Sequence, residues 1–578
     1  MKNIYKKSHY KTQNTKTISL EINGMTCSGC SSHIEKDMKK TEGVLSSDVN
    51  HETGMGEFTF DKDKLNMSAI VKAVNSVGNY EVKNIIEVEE ESLNPKVENP
   101  VNKDIPKDLN NFDLIIIGGG SAAFSAAIEA ESLGLTTLMV NSGLDLGGTC
   151  VNVGCVPSKN LIRAAEAAYH ATHSNFEGIR PKGADIDFAQ VIKGKKKLVA
   201  ELQQQKYMDV VSDFKYLTIL NGWAEFVDNK TIVVNGKEKY TATKIIIATG
   251  ATTNIPNIDG LDEVGYLTNV SLFDMEEKPE SLTIMGAGYI GLEIAMAYNR
   301  LGVKVRIIEF TDRPLRGQTK DITDVLETQM KSEGIEILPN FRAVKFEKEG
   351  DDIFIHCKCP DGSTTQIIEK GKIVIATGIR PNTSKLGLDK IDLNLSESGH
   401  IIVNDKMETN NSNIYAAGDV TNTLSFVYTA ATEGKTAVNN AFALAEKSID
   451  YSSLPWVVFT DPQIAGAGMD EIEAESKGIP FEVSKLDLVH VPRALAAFDT
   501  RGFIKLIRNA ETDKLIGARV IAPEGGEIIQ QLSMAIKYGI TVRELAESFY
   551  PYLTLGEGIK LAAITFGKDV SKLSCCAS

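Results

Sequence analysis

The eight cysteines of this 578-residue chain fall in four close pairs. The pairs are Cys27/Cys30, Cys150/Cys155, Cys357/Cys359 and Cys575/Cys576. Eight cysteines in a chain of this length are too few for a disulfide scaffold, and no secretory signal is recognisable before them. Paired thiols in such a chain indicate redox or soft-metal chemistry. They predict a cytoplasmic protein, because thiols stay reduced in that compartment.

Cys150 and Cys155 stand five residues apart in a glycine-rich segment. Five residues of straight helix rise by about 7.5 Å, whereas a disulfide joins Cα atoms roughly 4.4–6.8 Å apart. The segment must therefore bend if the two sulfurs are to bond, and Gly154 permits the bend. A cysteine pair that follows a dinucleotide-binding unit can exchange electrons with a flavin bound there.

Cys27 and Cys30 precede a predicted helix in the motif Gly-Met-Thr-Cys-Ser-Gly-Cys. Thiols at a helix start have lowered pKa values and can hold a soft metal ion. Two thiolates are too few for a closed structural zinc site, and the surrounding element order argues against a thioredoxin motif. Cys357 and Cys359 instead share one face of a predicted strand, which favours structural burial over metal binding.

Two glycine loops have the spacing of dinucleotide-binding turns. Their key residues are Gly118, Gly120 and Ala123 in the first loop and Gly286, Gly288 and Gly291 in the second. The first glycine permits a tight turn, the second admits a pyrophosphate, and the third small residue keeps helix and strand close. Each loop follows a buried apolar strand and precedes a helix, which predicts two dinucleotide folds in one chain.

The residue at the end of the next strand usually contacts the ribose. In the first unit that residue is Asn141, an amide that can still hydrogen-bond a hydroxyl. In the second unit it is Glu309, which favours a free 2′-hydroxyl and thus NADH. Arg313 and Arg316 follow closely and could hold a 2′-phosphate. The choice between NADPH and NADH therefore stays open.

Changes in composition and hydrophobic periodicity along the chain predict its domain organisation. Residues 17–86 show a βαββαβ order typical of a ferredoxin-like fold, with strands at Thr17–Ile22, Gly56–Phe60 and Tyr80–Ile86 and helices at Ser31–Lys40 and Met67–Val77. The other predicted parts are a polar, proline-containing linker at 87–110, a first dinucleotide domain at 111–278 completed by 380–450, a second at 279–379, and a mixed domain at 451–578.

The net charge of −15 and the lack of a basic block make nucleic acid a poor partner. No run of about 18 apolar residues occurs, so the sequence predicts no membrane insertion.

The segment Gly-Gly-Thr-Cys-Val-Asn-Val-Gly-Cys-Val-Pro-Ser-Lys resembles the signature of the flavoprotein disulfide reductases. The resemblance covers about residues 112–578 and includes both glycine loops and the Ala-Gly-Asp that ends at Asp419. It implies FAD in the first unit, a nicotinamide in the second and a homodimer built on the last domain. It also implies that Cys155 is the charge-transfer thiol beside the flavin and Cys150 the exchange thiol.

The same resemblance assigns roles to single residues. It implies an ion pair of Lys159 with Glu293 near the flavin, a nicotinamide gate at Tyr289, and a contact of Asp419 with the ribityl chain. The further positions that match FAD contacts are Gly143, Gly148, Thr149, Ala224 and Val427.

One departure from that family is informative. The family carries a His-Pro near its C-terminus, whose histidine, backed by a glutamate, protonates the leaving thiol. Here the histidine position is Tyr550, while Glu557 is present. Tyrosine is a poor proton shuttle at neutral pH, so turnover of glutathione or dihydrolipoamide is expected to be poor.

The ending Ser-Cys-Cys-Ala and the segment Tyr-Pro-Tyr-Leu-Thr are similar to those of the mercuric reductases, a branch of that family. This resemblance implies reduction of Hg(II) to Hg(0). Cys575 and Cys576 would take Hg(II) from thiol complexes and pass it to the flavin-side cysteines of the partner subunit. Tyr289 and Tyr552 would help to hold the ion. The alternatives are a dihydrolipoamide- or glutathione-type disulfide reductase, and a metal-binding module.

The Gly-Met-Thr-Cys motif resembles the heavy-metal-associated domains over residues 17–86. This implies that Cys27 and Cys30 bind a soft ion such as Hg(II). Delivery to the catalytic core and simple buffering are both compatible with that motif.

Overall fold

The computed structural model describes residues 15–25, 28–51, 53–61, 64–78, 80–87, 110–443 and 446–569. The chain divides into two compact units, one within residues 1–96 and the other within 97–578. No helix in the described ranges is long and apolar enough to cross a membrane.

The N-terminal unit has the predicted βαββαβ order. Its elements are β1 (Thr15–Asn23), α1 (Ser28–Met38), β2 (Val44–Asn50), β3 (Met55–Asp61), α2 (Met67–Ser76) and β4 (Glu81–Glu87). They form an antiparallel sheet of order β2-β3-β1-β4. The sequence pattern located no segment for β2, because that strand carries mostly polar residues.

Period-two burial explains why this unit folds. Ile18, Leu20 and Ile22 on β1 point to one face of the sheet, where they are fully or almost fully buried. Ile34 of α1 and Ile70 of α2 pack against the same face. The hydrophobic core therefore lies between the sheet and the two helices.

The first dinucleotide fold is built on a mainly parallel sheet. Its elements are β5 (Asn111–Ile117), α3 (Ser121–Ser132), β6 (Thr137–Asn141), α4 (Gly148–Asn152), α5 (Cys155–Thr172), α6 (Phe188–Gln203), a π-helical turn (Gln204–Met208), α7 (Asp209–Val211), β7 (Leu217–Asn221), β8 (Ala224–Asp228), β9 (Thr231–Val234) and β10 (Glu238–Ile247). The strand order is β7-β6-β5-β10-β9-β8, in which β9 runs antiparallel to both of its neighbours, β10 and β8.

The second dinucleotide fold follows with the same strand–loop–helix start. Its elements are β11 (Ala251–Thr253), α8 (Leu261–Val264), α9 (Asn269–Phe273), β12 (Ser281–Met285), α10 (Tyr289–Arg300), β13 (Lys304–Ile308), α11 (Lys320–Ser332), β14 (Glu336–Leu338), β15 (Arg342–Glu349), β16 (Asp352–Lys358), β17 (Thr364–Glu369), β18 (Lys372–Ile375) and β19 (Ile379–Pro381). The parallel sheet has the order β14-β13-β12-β18, and β15-β16-β17 form a separate antiparallel sheet.

The chain then returns to the first fold. A 3₁₀ turn (Leu388–Lys390) precedes β20 (Ile414–Ala416) and α12 (Val427–Ala441). β20 pairs in parallel with β10, and α12 packs on α3.

The last domain is an antiparallel sheet of order β21-β22-β25-β24-β23 with helices packed against it. Its elements are β21 (Trp456–Val458), β22 (Gln463–Gly468), α13 (Glu471–Ser476), β23 (Phe481–Asp487), a 3₁₀ turn (Leu488–His490), α14 (Pro492–Ala496), β24 (Phe503–Asn509), β25 (Leu515–Ala522), α15 (Gly525–Lys537), α16 (Val542–Glu547) and α17 (Glu557–Ile564). The predicted fold class, two dinucleotide folds and a mixed domain preceded by a ferredoxin-like unit, is confirmed.

The contact of α12 with α3 gives a test of this packing. A Cβ on Gly434 of α12 would lie 2.1 Å from the carbonyl oxygen of Ala122, whereas a Cβ on Gly194 of α6 would meet nothing within 4 Å. We expect Gly434→Ala to lower the free energy of unfolding by about 1–3 kcal/mol through overpacking. Gly194→Ala should raise it by up to about 1 kcal/mol through helix propensity. Thermal unfolding of the full-length variants measures both, and shifts in the same direction would contradict this packing.

Candidate active site

The first glycine loop brings two backbone segments into contact. Gly118 has a φ of +133°, and a Cβ there would lie 2.1 Å from the carbonyl oxygen of Ala248. A Cβ on Gly148 would lie 2.6 Å from the Cα of Gly120. Only glycine permits these approaches. Because α3 begins at Ser121, directly after the loop, its unpaired N–H groups can receive a pyrophosphate.

Asp419 supplies a second feature that fits FAD. Burial raises the pKa of its carboxyl group, and the nearby Glu433 carboxylate adds to the rise. No hydrogen bond reaches the Asp419 carboxyl group from the part of the chain that the structure describes. Asp419 is partly buried, and the hydroxyls of a ribityl chain would give its carboxyl oxygens hydrogen-bond partners. The glycine cradle and this carboxyl group together fit FAD.

The other positions matched to FAD contacts lie on separate elements of the first fold. Ala123 is fully buried in α3, Thr149 lies in α4, Ala224 begins β8 and Val427 begins α12. Gly143 lies in the turn after β6 with a φ of +84°.

Asn141 ends β6, as expected, but its side chain is almost completely buried. Its amide donates to the carbonyl oxygen of Leu144 at 2.9 Å.

The second glycine loop repeats the close approach. Gly286 has a φ of +105°, and a Cβ on Gly291 would lie 2.1 Å from the carbonyl oxygen of Gly286. A Cβ on Gly288 would meet nothing within 4 Å, so this residue borders open space. A cavity of about 150 Å³ lies here. Its walls include Thr253, Asn269, Gly288, Tyr289, Ile290 and Gly378.

Glu309 directly follows β13 and is almost fully buried. One carboxylate oxygen accepts a hydrogen bond from the N–H of Ala287 at 2.6 Å, inside the glycine loop. The other accepts from the N–H and hydroxyl of Thr311, both at 2.7 Å. The negative charge is thus fixed beside the loop where a dinucleotide would lie.

The Arg313 side chain forms its hydrogen bonds within its own loop. Its guanidinium group donates to the carboxylate of Asp312 at 2.8 Å and to the carbonyl oxygens of Arg316 and Gln318 at 3.1 and 3.3 Å. The Arg316 side chain is 69 % exposed. Of the two arginines, Arg316 is therefore the more accessible to a phosphate.

The bend predicted between Cys150 and Cys155 is confirmed. α4 ends at Asn152, α5 begins at Cys155, and Gly154 between them has φ −124° and ψ −109°. Both cysteines are free thiols and partly buried.

The two thiols differ in acidity. A hydrogen bond from the Cys150 thiol, assisted by the positive charge of Lys159, lowers the pKa of Cys155 to about 7. The same hydrogen bond and burial raise the pKa of Cys150. Cys155 is therefore the thiol of the pair that ionises near neutral pH, while Cys150 stays protonated.

Lys159 and Glu293 lie together, as the family resemblance implies. The Lys159 ammonium is 2.6 Å from a carboxylate oxygen of Glu293, and it also lies 4.5 Å from the centre of the Phe459 ring. The other Glu293 oxygen accepts from the N–H of Phe459 at 3.0 Å. The pair thus connects α5, α10 and the start of the last domain. Phe459 was not foreseen, because nothing in its own sequence neighbourhood marks it.

Tyr289 begins α10 and forms part of the cavity wall. Its ring stacks on Trp456, with centroids 5.9 Å apart and planes at 18°. Burial raises the pKa of the Tyr289 hydroxyl. The Tyr428 hydroxyl donates to the carbonyl oxygen of Pro455, next to Trp456. Trp456 and Tyr428 were not predicted from the sequence, although Tyr428 directly follows Val427, a position that was.

The C-terminal aromatic residues differ in exposure. Tyr550 packs against the core of the last domain, and burial raises the pKa of its hydroxyl. Tyr552 is 54 % exposed. The Glu557 carboxylate accepts from the N–H of Leu553 at 3.1 Å.

The remaining cysteines take different positions. Cys357 is fully buried in an apolar cluster, which raises its pKa to about 11, and Cys359 is partly buried. Cys30 lies in the first turn of α1 and is partly buried. Cys27, Cys575 and Cys576 lie outside the described residues. Across the described ranges, no group of three or more His, Cys, Asp or Glu side chains could hold a metal ion.

Three family descriptions match the chain. Residues 112–434 match "Pyridine nucleotide-disulphide oxidoreductase", residues 454–563 match the dimerisation domain of the same family, and residues 19–81 match "Heavy-metal-associated domain".

The chain is similar to proteins named mercuric reductase from several bacteria. It is 38 % identical to that of Staphylococcus aureus over 98 % of this chain and 100 % of that protein. It is 41 % identical to that of Streptomyces lividans over 81 % of this chain and 98 % of that protein.

Among solved structures it resembles the Cu(II) complex of the HOCl-induced flavoprotein disulfide reductase RclA from Escherichia coli. The TM-score is 0.71 with 26 % identity, covering 80 % of this chain and 100 % of that one. The chain therefore belongs to the pyridine nucleotide-disulphide oxidoreductase family and, within it, to the group of the mercuric reductases.

Proposed function

We propose that this protein reduces Hg(II) to Hg(0) with electrons from a reduced nicotinamide and so detoxifies mercury. The observation that carries the proposal is the Cys150/Cys155 pair, in which a hydrogen bond from Cys150 and the charge of Lys159 favour the thiolate of Cys155. Thiolates bind soft metal ions in preference to oxygen or nitrogen ligands. The relatives named mercuric reductase match nearly the whole chain.

The proposed reaction consists of two successive steps, exchange of thiol ligands on Hg(II) and then reduction of the ion. Hg(II) held by two small thiols exchanges onto Cys150 and Cys155: two Hg–S bonds break, two form, and the small thiols leave. Two electrons then release Hg(0) and leave two cysteine thiolates. The sum is NADPH + Hg(II) → NADP⁺ + H⁺ + Hg(0). FAD, when bound, carries the electron pair from the nicotinamide to the cysteine pair.

The surrounding residues prepare the pair for this exchange. Lys159, fixed by Glu293 at 2.6 Å, favours the thiolate of Cys155. Tyr289 begins the helix that carries Glu293 and borders the cavity beside the second glycine loop. We assign to Tyr289 the gating of the nicotinamide, and to Tyr289 and Tyr552 a share in holding Hg(II).

Two oppositely charged side chains, Arg316 and Glu309, favour different nicotinamides. We propose NADPH as the donor, in line with the mercuric reductase group, with the exposed Arg316 as the accessible partner of a 2′-phosphate. The fixed carboxylate of Glu309 opposes that phosphate and allows NADH as well.

We also propose a homodimer with shared active sites. Large apolar side chains are exposed on the domain that matches a dimerisation domain. They include Met534, Tyr538, Phe549, Tyr552 and Leu553, and Phe549 is fully exposed. A second copy of the chain would cover this surface, and Cys575 and Cys576 would then deliver Hg(II) to the partner's cysteine pair.

The N-terminal unit fits a soft-ion carrier, with Cys27 and Cys30 as its ligands. Cys30 lies in the first turn of α1, where the helix dipole favours a thiolate. A reaction that consumes a reduced nicotinamide and needs free thiolates also fits the cytoplasm.

The first test compares electron acceptors. We expect the purified protein to oxidise NADPH, and NADH to a lesser extent, only when Hg(II) is present in excess thiol, with volatile mercury as product. Oxidised glutathione and lipoamide should turn over at least about a hundredfold more slowly, because Tyr550 replaces the proton donor. Nicotinamide absorbance measures both rates.

Tyr550→His is the matched variant for this comparison, since it restores the histidine that the related disulfide reductases carry at this position. It should raise disulfide turnover and leave Hg(II) turnover within twofold. Rapid disulfide turnover by the unchanged protein, with Hg(II) only inhibiting, would instead establish a thiol–disulfide reductase.

The second test concerns the C-terminal cysteines. Replacing Cys575 and Cys576 with alanine should lower Hg(II) turnover in excess thiol at least about tenfold, because delivery loses its high effective concentration. Nicotinamide oxidation with ferricyanide should not change. Replacing Ser574 and Ser578 with alanine is the control.

Co-expression tests the shared site. Subunits lacking Cys575 and Cys576 should regain Hg(II) turnover when they pair with subunits lacking Cys150 and Cys155. Mixed dimers that stay inactive would show that each C-terminus serves its own subunit.

The third test is the pH dependence. The pKa of Cys155 is lowered, so its thiolate is present above about pH 7 and is lost as the pH falls through that value. Hg(II) binding to the reduced pair should slow accordingly. Lys159→Met should move the midpoint upward by roughly one pH unit, since it removes the positive charge. Arg163→Met, on the exposed side of the same helix, should leave the midpoint in place. Stopped-flow measurement of binding gives the midpoint, and an unmoved value in Lys159→Met would refute the role of this charge.

A further inference from the structure

We propose that Trp456 is a positioning residue that holds the Tyr289 ring as a wall of the nicotinamide cavity. The inference rests on the proposed function, since it concerns the site assigned to the reduced nicotinamide. It adds a residue from the last domain to a site that is otherwise built from the two dinucleotide folds.

The stack itself is close to parallel. The Tyr289 and Trp456 rings have centroids 5.9 Å apart and planes at 18°, and both side chains are partly buried against the same apolar cluster. The tyrosine ring is therefore held on one face by the indole.

Gly466 leaves the space that the Trp456 indole occupies. Trp456 on β21 stands opposite Gly466 on β22. A Cβ on Gly466 would lie 2.3 Å from Cζ2 of the indole and 2.5 Å from Cε2. The indole thus occupies the space that a side chain at position 466 would need, so its position depends on that glycine.

Arg519 supports the indole from the sheet. Its guanidinium carbon lies 5.6 Å from the centre of the Trp456 ring. The Arg519 side chain is almost completely buried and donates to the carbonyl oxygens of Ala467, Gly468 and Ala518 at 2.9–3.2 Å. Asp470 lies 3.5 Å from the same guanidinium group. The stack is thereby fixed to β22 and β25.

These contacts keep the Tyr289 ring in one place beside the cavity. Without the indole the Tyr289 ring would have more rotational freedom, and the nicotinamide would have to order it on binding. The interaction energy of such an aromatic pair corresponds to a change of about 2- to 10-fold in the affinity for the nicotinamide. Trp456 should therefore affect KM for the nicotinamide more than kcat.

The experiment titrates full-length holoenzyme with NADP⁺ and with NAD⁺ and follows tryptophan fluorescence. The chain has two tryptophans, and the other, Trp223, is 54 % exposed and lies in the turn between β7 and β8 of the first fold. We expect Trp223→Phe to keep the fluorescence change and Trp456→Phe to abolish it. Trp456→Ala should raise KM for the reduced nicotinamide about 2- to 10-fold with ferricyanide as acceptor, with kcat within twofold, while Trp456→Phe should restore most of the affinity.

A double-mutant cycle separates positioning from general damage. Gly466→Ala should raise KM like Trp456→Ala, because the added Cβ displaces the indole, and it should have little further effect when Trp456 is already alanine. An unchanged KM in Trp456→Ala, or equal effects of Gly466→Ala in both backgrounds, would overturn the proposal. Neither titration involves mercury, so a protein that fails to reduce Hg(II) would leave this inference testable on its own.

Discussion

The contact between α5 and α10 sets the distance between the two chemical centres of the protein. Cys155 and Lys159 lie one turn apart on α5, and Tyr289 and Glu293 lie one turn apart on α10. The ion pair of Lys159 with Glu293 joins the two helices at 2.6 Å. Because each helix is rigid over one turn, this contact places the reactive thiolate relative to the cavity wall. The glycine loops, the cavity and the cysteine bend are all arranged around it.

The far ends of the same two helices are tied by a second, buried network. Arg300 at the end of α10 binds Glu333 at 2.6 Å and Asp461 at 2.9 Å, and its guanidinium group stacks 4.0 Å from the centre of the Tyr169 ring on α5. Arg501 of the last domain binds the same Asp461. Removing one partner from such a buried pair leaves an uncompensated charge, which is costly. The helices are therefore fixed at both ends and cannot slide past each other.

The predictable parts of the structure are those that one short segment encodes. The loops at Gly118 and Gly286 need glycine for local backbone reasons, and the bend at Gly154 follows from the spacing of two cysteines. Trp456 was not predictable, because its role depends on Gly466 across a sheet and on Tyr289 more than 160 residues away. Phe459 and Asp461 were not predictable for the same reason, because their contacts are with residues that are distant in the sequence. The strand β2 was missed for the opposite reason, since its polar residues give no period-two signal.

The replacement of a histidine by Tyr550 is consistent with a metal as the electron acceptor. Reduction of a disulfide must protonate the thiol that leaves, and the raised pKa of the buried Tyr550 hydroxyl suits that task poorly. Reduction of thiolate-bound Hg(II) needs no such proton, because Hg(0) departs with the electrons and two thiolates stay behind. The unequal pKa values of Cys150 and Cys155 serve the earlier step. In the proposed exchange Cys155 already favours its thiolate, so only the proton of Cys150 must move, and the first small thiol that leaves the mercury accepts it.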